Sequence, residues 1–247
     1  MTVSMRNPVL RPVLSIVFAA ALWAVTAESA AAQVWVGSNT PRRGSWEIGA
    51  GAAWSAGFDL GDRAAQLTRN PGTGTGLFDQ FATSSRVTST IGGQARAGVY
   101  LSRSLAVEGG VQYLRPRLSI RVSGDSEQAD DVTVSETMSR YVFDGSLVLR
   151  LDGLTFAGGR AVPFVLGGGG YVRELHARNE LIETGTEVHA GAGVRIWLGR
   201  GARRLGRGAR RLGLRADVGV TRRNGGFDFS DGSRMLPTAG GTLIYLF

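Results

Sequence analysis

The sequence predicts an all-β chain: an eight-stranded antiparallel up-and-down transmembrane β-barrel preceded by a cleavable signal peptide. Three observations predict it. Long segments alternate apolar and polar residues with a period of two, the pattern of strands with one oily face. The polar faces carry acids and arginines among glycines, whereas a wetted sheet surface favours Lys, Glu and Thr and disfavours Gly in mid-strand. The first 32 residues read as an export signal.

Composition narrows the function classes. The chain has 247 residues, enough for one barrel. It has no cysteine, which excludes disulfides, thiolate metal sites, a thiol nucleophile and lipoprotein acylation. All 28 basic residues are arginine, which removes Schiff-base chemistry and a Walker-type phosphate lysine. A net charge of +8 and a pI near 11.0 raise nucleic acid as a partner on charge alone. The N-terminus counters that. Arg6 and Arg11 precede an apolar stretch at 12–25, and Ala30-Ala31-Ala32 fits small-residue cleavage before Gln33. Loss of two Arg and one Glu leaves +8 − 2 + 1 = +7 on a mature chain in a compartment without DNA or RNA. The expected organisation is a signal peptide at 1–32, a periplasmic lead at 33–44 and the barrel at 45–247.

The first strand carries the clearest alternation. Trp46, Ile48, Ala50, Ala52, Trp54, Ala56 and Phe58 share one face, and Glu47, Gly49 and Gly51 lie on the other. Twelve steps at ~3.3 Å, tilted by ~40°, rise roughly 30 Å, the height of a lipid-facing band. Residues 59–86 read as a long polar loop. The second strand, 87–101, sets Ile91, Ala95, Ala97, Val99 and Leu101 against Gln94, Arg96 and Tyr100. The third, 105–113, sets Leu105, Val107, Val111 and Tyr113 against Glu108 and Gln112. At Pro116 the apolar phase changes parity, which suggests a bulge.

An acidic loop at 123–131 leads into the fourth strand, within 132–151. Its firm part sets Tyr141, Phe143, Leu147 and Leu149 against Asp144, Ser146 and Arg150. Its earlier part is expected above the membrane. The fifth strand, 161–174, is read with Val162, Phe164, Leu166 and Val172 outward and Arg173 inward. The sixth sets Val188, Ala190, Ala192, Val194, Ile196 and Leu198 against Glu187, His189, Arg195 and Trp197. The seventh sets Leu212, Leu214, Ala216, Val218 and Val220 against Arg215, Asp217 and Thr221. The eighth, 235–247, ends on Tyr245 and Phe247.

The expected interior is an ion-pair network of Glu47, Arg96, Glu108, Asp144, Arg150, Arg173, Glu187, His189, Arg195, Arg215 and Asp217, the small girth of eight strands being filled by side chains. The expected lipid-facing aromatics are Trp46, Trp54, Phe58, Tyr113, Tyr141, Phe143, Phe164 and Tyr245.

An exported chain of eight alternating strands, with Val162-Pro163-Phe164-Val165-Leu166 running into Gly167–Gly170 and Tyr171, and a terminal Tyr245-Leu246-Phe247, resembles the small OmpA/OmpX-type outer-membrane β-barrels. The resemblance covers essentially the whole mature chain. It implies residence in the outer membrane of a Gram-negative-type bacterium, contact with its lipid, and a terminal aromatic signal, Tyr245 and Phe247, read by the barrel assembly machinery. The family pattern has Gly five places before the last residue, where this chain has Thr242. No peptidoglycan-binding domain is expected after the barrel.

Catalysis finds little support in the residues. Small barrels similar to lipid A deacylases use a His and a Ser close together on one strand, and neither His176 nor His189 has such a serine. No metal-ligand cluster or Ser-His-Asp spacing stands out, and no cofactor is expected. The Gly167–Gly170 run lacks phosphate-loop spacing and a lysine, and a second glycine-rich run at 72–76 reads as a loop tip. Residues 199–205, GRGARRL, are repeated letter for letter at 206–212; a solvated turn is the plain reading, and contact with inner-leaflet phosphates or cell-wall carboxylates the functional one. The acidic loop with Asp125, Glu127, Asp130 and Asp131 is read as solvated, with divalent cations near lipopolysaccharide as the alternative. The expectation is a monomeric, non-enzymatic barrel with a structural or surface-interaction role, possible extracellular or cell-wall contacts through its loops, and no nucleic acid. A narrow pore for small solutes, a lipid-modifying enzyme and a soluble exported barrel holding a small ligand are the competitors.

Overall fold

The computed structural model describes residues 40–68, 76–124, 130–176, 182–198, 212–225 and 234–247. The expected signal peptide, most of the N-terminal lead, the doubled GRGARRL turn, the glycine-rich tip at 72–75 and the core of the acidic loop lie outside the described residues. Twelve strands are described: β1 (Trp46–Ser55), β2 (Phe58–Thr68), β3 (Leu77–Val87), β4 (Thr90–Tyr100), β5 (Leu105–Leu114), β6 (Arg117–Ser123), β7 (Val132–Thr137), β8 (Ser139–Arg150), β9 (Ala161–Leu175), β10 (Ile182–Trp197), β11 (Leu212–Gly225) and β12 (Arg234–Leu246).

Eight of them close into an antiparallel barrel in the order β1-β12-β11-β10-β9-β8-β5-β4, each strand beside its successor in that wall. Closure is made by β1 and β12, which pair from Glu47 with Leu246 up to Ser55 with Thr238, so neither terminal strand keeps a bare edge. The backbone N–H of Phe247 extends this seam by donating to the Trp46 carbonyl at 2.8 Å. At one end the strands are joined by short turns, at 101–104 and through a single 3-10 turn at Asp152–Leu154.

The other end carries what the alternation did not reveal. β2, β3, β6 and β7 form a second, four-stranded sheet in that order. Residues 59–86, expected as a polar loop, form a β-hairpin interrupted by register shifts between Asp59 and Gly61 and between Ala65 and Gln66. The first and second hairpins join through β3 and β6. The sheet therefore continues the β1-β4-β5-β8 half of the wall beyond the barrel. It has its own core of Leu60, Val87, Leu118 and Met138, with Phe58 and Ile120 against it.

The expected bulge is not on Pro116's own strand but opposite it: from Val87↔Leu118 to Gly93↔Tyr113 six steps along β3–β4 face five along β5–β6, so the extra residue lies between Val87 and Thr90. Leu114, Pro116 and Leu118 are all buried at successive alternate positions, so the strand continues in phase from β5 into β6. What changes is the environment. In β5 the apolar residues Val107, Val111 and Tyr113 face outward and are exposed, while in β6 the apolar residues Leu118 and Ile120 occupy the inward parity. In β8 Tyr141, Phe143, Leu147 and Leu149 are exposed outside, and Met138 just before it is buried on the inward parity, whereas Val132 and Val134, of the same parity in β7, are exposed. A wall that is oily outside and then oily inside has passed from hydrocarbon into water.

Two further expectations are corrected. β9 is turned the other way: Val162, Phe164 and Val172 are 3 %, 1 % and 2 % exposed and point into the barrel, while Val165, Tyr171 and Arg173 lie outside. Phe58 faces the core of the upper sheet, beneath the Arg234 guanidinium at 5.1 Å, and is no lipid-facing residue. The other expected outer aromatics, Trp46, Trp54, Tyr113, Tyr141, Phe143 and Tyr245, lie on the outward parity of their strands. Tyr245 packs edge-on against Phe247 at 4.7 Å.

Candidate functional site

The interior is layered. At the turn end an apolar plug of Tyr100, Ala106, Val148, Val162, Phe164, Trp197, Ile244 and Leu246 fills the barrel. Arg150 reaches down past it to Asp152 at 2.9 Å, with its guanidinium 5.9 Å from the Tyr100 ring centroid.

Above the plug two arginines with almost no exposure meet three acids. Arg195 donates to Glu47 at 3.1 Å and to Glu108 at 2.5 Å. Arg215 donates to the other oxygen of Glu108 at 2.6 Å and to Asp217 at 2.9 Å. The Tyr100 hydroxyl donates to Glu47 at 2.9 Å. The Phe164 ring lies within cation–π range of both guanidiniums, 4.7 Å from Arg195 and 4.6 Å from Arg215. Desolvating ions costs several kcal/mol each, and such pairing with added hydrogen bonds is what offsets it.

Glycines make the space. A Cβ at Gly98 would come within 2.7 Å of the Glu108 side chain, one at Gly110 within 2.6 Å of an Asp144 oxygen, and one at Gly193 within 2.6 Å of the Phe164 ring. These inward glycines are the counterparts of the large charged and aromatic side chains on neighbouring strands. That is why glycine is abundant in strands where it weakens propensity.

The upper half is looser and polar. Asp144 is 3.8 Å from Arg96 and accepts from Gln112 at 3.5 Å, while Gln94 accepts from Arg96 at 3.2 Å. A cavity of about 50 Å³ opens here, lined in part by Gln94, Arg96, Asp144, Glu187, His189 and Arg223. Near the rim Arg140 donates to Glu174 at 2.5 Å, and Arg223 bridges Glu174 at 3.6 Å and Glu187 at 3.4 Å. His176, buried just past β9, is 3.5 Å from Glu136 of β7.

Ten of the eleven expected interior residues are therefore brought together: Glu47, Arg96, Glu108, Asp144, Arg150, Glu187, His189, Arg195, Arg215 and Asp217. Arg173 is the exception. It is exposed on the outer wall, and Glu174 takes the inward place. Glu174, Arg140 and Arg223 were not foreseen. With them, the charged groups named so far inside the wall are Glu47, Glu108, Asp144, Glu174, Glu187 and Asp217 against Arg96, Arg140, Arg150, Arg195, Arg215 and Arg223.

His189 has no serine on its own strand, as expected, but it meets one across the wall. Its Nε2 is 2.8 Å from Ser146 Oγ. The two residues stand on β8 and β10, each opposite Gly168 of the intervening β9, and the missing side chain lets them meet. His189 lines the 50 Å³ cavity, which has space for a few waters. Among the described residues no group of three or more His, Cys, Asp or Glu could hold a metal ion.

No protein-family model and no curated protein sequence matches the chain. Solved structures do. The outer membrane protein OprG from Pseudomonas aeruginosa matches at 11% identity over 85% of this chain and 98% of its own, with a TM-score of 0.50. Ail, the attachment invasion locus protein of Yersinia pestis, matches at 14% identity over 83% and 99% of the two chains, with a TM-score of 0.41. The outer membrane protease OmpT from Escherichia coli matches at 9% identity over 87% and 100%, with a TM-score of 0.33. The likeness to OprG carries the fold comparison, and it agrees with the closed wall of eight strands. The fold is that of the small eight-stranded outer-membrane β-barrels of the OmpA/OmpX-like type.

Proposed function

We propose that this chain is exported through its N-terminal signal, inserted by the barrel assembly machinery through Tyr245 and Phe247, and resides as a monomer in the outer membrane of a Gram-negative-type bacterium. Its role on this reading is structural or one of surface interaction, without catalysis and without appreciable conduction. The turn end lies in the periplasm and the four-stranded sheet stands outside the cell, where it is the main contact surface for envelope or extracellular partners.

One observation carries the reading: the barrel is filled. The plug around Tyr100, Phe164 and Trp197 and the Arg195–Glu108–Arg215 bridge occupy the cross-section at the periplasmic half. Outside, Trp46, Phe143 and Leu147 are 56 %, 50 % and 56 % exposed, an arrangement that water would not tolerate around a closed wall and acyl chains would. The arrangement argues against a pore, and the size of the cavity beside Ser146 and His189 against an enzyme.

Single-channel recording in planar bilayers tests the filled interior. The expected record is a flat baseline at moderate voltage, and a steady ohmic step that scales with inserted protein would overturn it. Fractionation tests residence: the unboiled protein should migrate ahead of the boiled form and partition with outer membranes.

A further inference from the structure

The corrected face of β9 places Arg173 on the outer wall, and it has company there. Tyr113 of β5 is opposite Tyr141 of β8, and Tyr141 is opposite Arg173 of β9, so the three form one row across three strands. The tyrosine rings are 5.0 Å apart, and the Tyr113 hydroxyl is 3.4 Å from Ser139 Oγ. Below this row the outward positions are apolar and exposed: Val111, Phe143, Leu147, Leu149 and Val165. One and two pleats above Tyr113, on the same outward parity, come Arg115 and Arg117, both exposed.

Arg115, Arg117 and Arg173 form no ion pair with any acid among the described residues, whereas Arg121, higher on the same outer face, is held by Asp131 at 2.6 Å. The acids at this level, Glu136, Glu174 and Glu183, have the inward parity of their strands. The row coincides with the point at which β5–β6 changes from oily outside to oily inside and at which Met138 turns inward before β8, so it marks the upper edge of the hydrocarbon. Tyrosine favours that interface, one end apolar and the other wet. With strands ~4.8 Å apart and a two-residue pleat of ~6.8 Å, the Cα atoms of Arg115 and Arg173 are roughly 12 Å apart. Guanidinium groups of Arg115 and Arg173, on stems of that reach, can converge on one phosphate, with Arg117, roughly 17 Å from Arg173 by the same spacings, beside Arg115 to meet the rest of the same headgroup.

We propose that Arg115, Arg117 and Arg173, above the Tyr113–Tyr141 pair, bind the phosphate-bearing headgroup of an anionic outer-leaflet lipid. The inference rests on the membrane reading. Phosphate suits the fork of an arginine, which can engage it through two hydrogen bonds. A lipid is favoured over a soluble anion or a protein because the three cations crown a continuous apolar belt and, among the described residues, none of them is paired with an acid, the one acid on that face, Asp131, being held by Arg121.

The test uses the full mature chain refolded into phosphatidylcholine vesicles doped with lipid A. The lipid A retained per barrel after detergent exchange is measured by mass spectrometry. Replacing all three residues (Arg115→Gln, Arg117→Gln, Arg173→Gln) should lower retention about tenfold or more, each basic residue near a charged surface adding to the affinity. Arg121→Gln should leave it unchanged, and enzymatically dephosphorylated lipid A should be lost from the wild type as readily as lipid A is from the triple variant. Undiminished retention by the triple variant, or equal retention of the dephosphorylated lipid, would overturn the proposal. Should the triple variant not refold, Arg115→Gln and Arg173→Gln are read singly by the same criterion. Failure of the wild type to enter vesicles at all is a separate result, and it would remove the membrane reading along with this one.

Discussion

Glu108 is the residue on which the interior turns, and replacing it gives the sharpest test of how the barrel is held. Its two oxygens accept from Arg195 at 2.5 Å and Arg215 at 2.6 Å, and both arginines are 2 % exposed or less. Glu108→Gln keeps the shape and one acceptor but turns an NH₂ toward a guanidinium and removes the negative charge that Arg195 and Arg215 share. A hydrogen bond to a charged group is worth ~1.5–3 kcal/mol, and stranding a buried charge raises the cost of breaking such a pair to ~3–5 kcal/mol. The expected loss is therefore about 3–5 kcal/mol, measured by urea unfolding in vesicles with tryptophan fluorescence as the probe. Adding Arg215→Gln restores the balance, so the double variant should be less damaged than the two single losses added together, with a coupling of about 1–3 kcal/mol. A single-variant loss under ~1 kcal/mol would mean that water screens these groups and that the interior is not the closed, low-dielectric core described above.

Three other outcomes follow from the same geometry. Phe164→Ala should cost about 3–5 kcal/mol, since the ring is buried between two guanidiniums, while Phe143→Ala on the outer face should cost clearly less; equal losses would restore the outward reading of β9. Gly193→Ala should prevent the heat-modifiable fold, because a Cβ there meets Phe164 and the facing backbone, whereas Gly145→Ala, with nothing within 4 Å, should fold normally on the same gel. Burial holds the Glu183 carboxyl above the ordinary range, with His176 opposing and Glu174 adding to the shift. A raised carboxyl contributes stability that is full below its unfolded pKa and is lost as pH rises through the folded one, so Glu183→Gln should stabilise the barrel at neutral pH, by well under ~1 kcal/mol for so open a site, and be neutral below about pH 4. A gain that persisted in acid would contradict it.

How much of this was legible in the sequence depended on whether each strand carried a mark on both faces. β10 and β11 did: Arg195, Glu187, Arg215 and Asp217 all share one parity, with unbroken apolar residues opposite, and both faces were read correctly. β9 did not. Either orientation leaves one charge outside, Arg173 or Glu174, and Gly167–Gly170 erases the alternation between them and Phe164. Hydrophobicity then favoured putting Phe164 in lipid, whereas two arginines offered it a better place inside. The β2–β3 hairpin was illegible for another reason: two register shifts break its period, so no run of alternation is long enough to register as a strand. The Ser146–His189 contact could not be read from either strand alone, since it depends on both residues standing opposite the same glycine.

The change of parity at Pro116 shows most clearly how solvent is written into a strand. Period two says which residues share a face but not which face is dry, and a strand that crosses from lipid to water must move its apolar residues from one face to the other. In β5–β6 burial alternates through Pro116 without a break, the one-residue shift of this level lying on the facing β3–β4 strand, so the inversion along β5–β6 reflects the medium and not a slip of its own backbone. A soluble barrel would have its apolar residues inside along the whole strand, and a bulge would have moved the burial pattern along with the hydrophobicity. Only a wall that is half immersed requires exposed Val111 and Tyr113 outside, buried Leu118 inside, and unbroken alternation between them. The same reasoning places charge: arginines just above the inversion reach headgroups from the outer face, and arginines below it can be tolerated only inside, against acids, as Arg195 and Arg215 are.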